Sequence, residues 1–105
     1  LMAVGGVGVI SVAANIIPNE MHRMAMAYLN GDIKLAKELQ LKYLDFINAL
    51  FIETNPIPIK EAMNLANMNV GKYRLPLYEM ESDTRNCLIN AMKAVFNDME
   101  MKEAV

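Results

Sequence analysis

The run Val7-Gly8-Val9-Ile10-Ser11-Val12 constrains this chain most, because it has the β-branched character of a fully buried strand and no second segment offers itself as a partner. Gly5 and Gly6 precede it and Ala13-Ala14-Asn15 follows. A strand cannot satisfy its own backbone, since its N–H and C=O groups point sideways and need neighbours. The sequence therefore predicts one short strand made for a sheet whose other members are missing.

Beyond Pro18 the pattern is helical. Met21, Met24, Ala25, Tyr28 and Leu29 share a helical spacing, and Asn30-Gly31 supplies a left-handed stop. Asp32 is placed to cap a second helix, predicted to run to Glu53. Ile33, Ala36, Leu39, Tyr43, Leu44, Ile47, Leu50 and Phe51 form its apolar stripe, while Lys34, Lys37, Glu38, Lys42 and Asp45 mark its wet face. Thr54-Asn55-Pro56-Ile57-Pro58 must be a loop, and Pro58 suits the first turn of a third helix through Asn67. Residues 68–80, with Gly71 and Pro76, read as an irregular connection. Ser82 or Asp83 then caps a last helix whose stripe is Leu88, Ile89, Met92, Val95, Phe96 and Met99. The expected fold is mainly α: one strand followed by about four helices, without internal repeats.

A hydrophobic content of 54% with 21% charged residues fits one ordinary core in a chain of 105 residues. A net charge of -2 with scattered Lys and Arg gives no positive field for nucleic acid and no polybasic membrane anchor. The longest apolar stretch, Leu1 to Ile17, is broken by Gly5, Gly6, Gly8, Ser11 and Asn15 and is too short to span a bilayer. A single cysteine, Cys87, rules out an intrachain disulfide and fits a cytoplasmic setting. The opening at Leu1, with no signal-like segment, leads us to expect a cut-down chain.

Spacing alone shows no active site. Of the ten methionines, Met21, Met24, Met63 and Met92 fall on core spacing and read as packing, not as a cofactor box. His22, the only histidine, has no Cys or second His at ligand spacing, so no metal site is expected. Cys87 reads as a buried structural thiol. Gly5-Gly6-Val7-Gly8 precedes a strand instead of linking strand to helix, which argues against a phosphate cradle. Glu38, Glu53, Glu61, Glu79 and Glu81 read as solvated faces or loop ends. Lys60 invites a Schiff-base reading, but such a lysine needs a desolvated pocket, and the plain reading is a lysine in the first turns of a surface helix.

Two segments carry a resemblance. Gly8-Val9-Ile10-Ser11-Val12 with Ala14-Asn15 resembles the last barrel strand and following turn of the dihydrodipicolinate synthase family. The stretch from Leu50 to Lys60, containing Asn55-Pro56-Ile57-Pro58, with Arg74-Leu75-Pro76-Leu77 after it, resembles that family's carboxy-terminal signature. Their order and separation make the likeness specific over nearly the whole chain. It implies a (β/α)8 barrel, with the present strand closing between the seventh and the first. Residues 1–31 would be the last barrel strand and its helix, and residues 32–105 the appended carboxy-terminal helical region.

The family that this chain resembles condenses pyruvate with aspartate-β-semialdehyde in lysine biosynthesis, through an imine on a barrel lysine and without a cofactor. That lysine and the tyrosine and threonine of the proton relay have no counterpart here, so no catalytic residue is assigned. Lys60 matches a family motif outside the catalytic centre. Ile10 is the one position carried over, as an apolar wall of the pyruvate pocket, with Gly8 allowing close packing and Asn15 shaping the turn. The resemblance implies a homo-oligomeric enzyme whose isolated third is inactive. Two alternatives stand beside it: a piece of a related pyruvate aldolase, and a non-catalytic helical module that oligomerises through its exposed strand.

Overall fold

The computed structural model describes residues 1–96, in which four α-helices follow one another: α1 Pro18–Leu29, α2 Ile33–Ala49, α3 Ile57–Leu65 and α4 Ser82–Val95. Pro18 opens α1, where its missing N–H costs nothing. Met21, Met24 and Ala27 face inward. The helix stops where expected: the Asp32 N–H donates to the Ala27 carbonyl at 2.8 Å across a left-handed Gly31 at φ +86°. Asp32 then caps α2, its Oδ1 accepting the Leu35 N–H at 3.0 Å.

The α2 helix is the centre of the fold. It buries Ala36, Leu39, Tyr43, Phe46 and Ala49 and packs against both α1 and α4. It ends at Ala49, four residues before the expected Glu53, because the chain tightens into turns: the Phe51 N–H reaches Asn48 and the Ile52 N–H reaches Ala49. Leu50 is fully buried at that corner. The α3 helix buries Ile57, Ile59, Ala62 and Leu65 and stops short of Asn67, whose left-handed φ of 60° turns the chain away. From α4, Leu88, Ile89 and Met92 complete the core, and Phe46 meets Phe96 edge-on with ring centres 5.3 Å apart. Burying a side chain such as Phe46, Leu50 or Leu88 contributes about 1.5–3 kcal/mol each. Met99, read as the end of the last stripe, lies outside the described residues.

The expected strand is not formed. Residues 7–11 are irregular and lead into a short 3-10 turn at Ala13–Asn15, and no strand occurs among the described residues. Val7, Val9 and Ile10 stand in solvent, Ile10 completely, and the N–H groups of residues 7–11 find no acceptor among the described residues. The physical reason is the one that made the run informative: a strand exists only in a ladder, and the described residues hold no second strand to pair with it. The mainly α expectation stands without it.

Candidate functional site

The best-formed polar cluster lies where α3, the connection over residues 66–81 and the start of α4 enclose an open cleft of about 480 Å³. Glu61 of α3 is its centre. One carboxylate oxygen, Oε1, accepts the Arg85 Nε–H at 2.7 Å, and the other, Oε2, accepts the Tyr73 hydroxyl at 2.8 Å. Arg85 sits in the first turns of α4, so this carboxylate ties α3, the connection and α4 together. Both partners of the ion pair are largely shielded, which lifts it above an ordinary surface pair. The Tyr73 phenol is raised well above its ordinary value of 10.0, first by burial, then by donating to the Glu61 carboxylate, and further by the charges of Glu61 and Glu79, against a lowering by Arg85. It stays a neutral donor.

The connection is held from within. The Asn64 Oδ1 accepts the Val70 N–H at 2.9 Å and its Nδ2 donates to the Gly71 carbonyl at 3.0 Å. Lys60 donates its ammonium to the Lys72 carbonyl and lies 5.8 Å from the centre of the Tyr73 ring. Lys60 is thus an anchor of the loop, in keeping with its plain reading, and not an amine in a dry pocket. Glu53 was read as solvated but caps α4 from afar, its Oε1 accepting the Glu81 N–H at 3.0 Å and the Thr84 hydroxyl. The cap of α4 is accordingly Glu81 with help from Glu53, instead of Ser82 or Asp83.

These groups satisfy one another. Glu61 is shared by a guanidinium and a phenol, and among the described residues no polar or charged side chain is fully buried. The cluster offers no paired nucleophile and base, and its chemistry is that of a lock between helices. The sequence did not single it out, because its members are 12 and 24 residues apart and no local spacing joins them.

The other candidates are scattered. Ile10 is fully exposed on the unpaired segment, away from the cleft. A Cβ on Gly8 would meet nothing within 4 Å, so Gly8 makes no close packing here. Asn15 does shape its turn, donating from Nδ2 to the Val12 carbonyl at 3.0 Å. His22 is exposed, and no group of three or more His, Cys, Asp or Glu able to hold a metal exists among the described residues. Cys87, expected to be buried, is exposed: α4 turns Leu88, Ile89 and Met92 inward, and a step of about 100° per residue carries Cys87 off that face. No helix of the described residues is long and apolar enough to cross a membrane.

Comparison with known proteins gives one answer. Residues 1–95 match the profile described as the Dihydrodipicolinate synthetase family. The chain is 56% identical over 92 residues to a 4-hydroxy-tetrahydrodipicolinate synthase of Caldicellulosiruptor bescii, covering 88% of this chain and 31% of that protein. It is 57% identical over 93 residues to the synthase of Clostridium novyi, covering 89% of this chain and again 31% of the relative. Its fold matches the crystal structure of the dihydrodipicolinate synthase from Aquifex aeolicus with a TM-score of 0.87 at 40% identity, over 97% of this chain and 34% of that one. The chain therefore spans about a third of the length of the relatives it matches.

Proposed function

The chain belongs to the dihydrodipicolinate synthetase family, and from that premise we propose that it is the carboxy-terminal third of a 4-hydroxy-tetrahydrodipicolinate synthase, inactive alone and completed by the rest of a (β/α)8 barrel. The observation that carries this reading is the contrast within the chain. Residues 13–96 make a packed helical core, whereas Val7, Val9 and Ile10 project apolar side chains into water on a segment whose N–H groups find no acceptor among the described residues. Such a segment fits a strand awaiting its sheet.

In the completed enzyme, pyruvate forms an imine with a lysine of the missing barrel, and the enamine derived from it attacks aspartate-β-semialdehyde. The contribution of this chain is a wall. Ile10, paired into the barrel, lines the pyruvate pocket and excludes water, which disfavours the protonated lysine and keeps the amine able to attack. Proximity and orientation supply much of such a rate, and none of the groups that provide them is present here. No cofactor enters the scheme, and the single thiol suits a cytoplasmic setting. A related pyruvate aldolase would use the same wall. The segments at Asn55-Pro56-Ile57-Pro58 and Arg74-Leu75-Pro76-Leu77 favour the synthase.

The test is coupled synthase activity with pyruvate and aspartate-β-semialdehyde on a sample whose intact mass matches 11.8 kDa. The chain alone should show no turnover. Joined to the amino-terminal two-thirds of the Caldicellulosiruptor bescii synthase it should restore turnover, and Ile10→Asp in that fusion should abolish it while leaving the fusion folded. Turnover by the pure chain would overturn the proposal and make Lys60 the first residue to mutate.

A further inference from the structure

Asn30 is the only asparagine of the sequence followed by glycine. It caps the end of α1, it is exposed, and its side-chain amide has no hydrogen-bond partner among the described residues. Gly31 next to it is left-handed, and the space where a Cβ would stand is open, so no side chain at residue 31 crowds the Asn30 side chain. Four other asparagines are held differently. Asn55 precedes Pro56, whose nitrogen has no proton to lose, Asn48 and Asn90 lie within regular helix, and the Asn64 amide is bonded at both ends.

We propose that Asn30 is a deamidation site whose rate is governed by opening of the α1–α2 corner. The Gly31 backbone nitrogen gives up its proton and attacks Asn30 Cγ; the new N–Cγ bond closes a succinimide, the Cγ–Nδ2 bond breaks, and Nδ2 leaves as ammonia. Water then adds at one of the two ring carbonyls, giving aspartate or isoaspartate at position 30. Nothing beyond water is consumed. In the closed corner the Gly31 N–H donates to the Tyr28 carbonyl at 3.0 Å, so the nucleophile is free only when the last turn of α1 opens.

The product acts on the same corner. A carboxylate at residue 30 sits at the negative end of the α1 dipole and two residues from the carboxylate of Asp32, which caps α2. The isoaspartyl form also adds a carbon to the backbone inside the loop closed by the Asp32 to Ala27 hydrogen bond, which sets how α1 turns into α2. Modification should therefore loosen the packing of α1 on α2.

The experiment is to age the full chain at neutral and mildly alkaline pH, with and without urea, alongside Asn30→Gln, following released ammonia and the peptide that contains residue 30. We expect that peptide to convert before any other asparagine peptide, faster at higher pH and faster in urea. Asn30→Gln should release no early ammonia, with an unchanged helical spectrum. Aged wild type should melt below fresh wild type, and aged Asn30→Gln should not. An intact Asn30 after other asparagines have reacted, or equal ammonia release from the variant, would overturn the site. A rate in urea no higher than in the folded chain would overturn the gating by the corner.

Discussion

At the residue scale, the tie among Glu61, Tyr73 and Arg85 makes a pH-dependent contribution whose direction follows from the phenol. Burial and the Glu61 carboxylate raise the Tyr73 phenol in the folded chain, while in the unfolded chain it ionises near its ordinary 10.0. The folded state therefore binds that proton more tightly, so the stability it contributes is complete below about pH 10 and is lost as pH rises beyond that value. Urea midpoints should fall between about pH 9 and about pH 11 in the wild type, and fall less steeply in Tyr73→Phe. Equal slopes would show that this phenol is not the source. The sequence could not announce such a residue: Tyr73 lies in an irregular connection, and its partners Glu61 and Arg85 come from two different helices. Lys60 was legible only as a lysine in the first turns of a helix, which α3 bears out; its bond to the Lys72 carbonyl, 12 residues on, was not.

At the element scale, the starts of α2 and α4 are capped in opposite ways, one by a local side chain and one by a distant one. The α2 start was readable because Asp32 is adjacent to the turn that it caps. The α4 start was not, because Glu53, its acceptor, is 28 residues earlier than Glu81, whose N–H it receives. A carboxylate there also complements the positive end of the α4 dipole. Glu53→Ala should lower stability by about 1 kcal/mol, read from urea melts, and Glu53→Gln, which keeps an acceptor but not the charge, by less. An equal loss in both would assign the effect to charge alone. The strand failed for a related reason: β-branched composition states what a segment prefers, but only partner strands can give it a ladder, and they are not among residues 1–96. Helices close their hydrogen bonds locally, which is why α1, α2 and α3 were placed to within a few residues.

At the scale of the whole molecule, a packed helical body carries an apolar arm. No charged side chain occurs before Glu20, so two arms can approach without like-charge repulsion. Sedimentation should show association that grows with concentration, and Val9→Lys should reduce it while circular dichroism remains dominated by helix. A stable monomer at high concentration would count against association through this segment. The change from arm to body is abrupt: Ile10 is wholly exposed and Ala13 is 2% exposed three residues later. Mechanically this makes a short joint. Tension on the arm would reach the body first at Ser11 and Val12, whose hydroxyl and carbonyl accept the N–H groups of Ala14 and Asn15, then at Ala13, whose carbonyl accepts those of Ile16 and Ile17, and would pass into α1 through that turn. The helices would thus feel a pull on the arm through one narrow coupling, and not along their length.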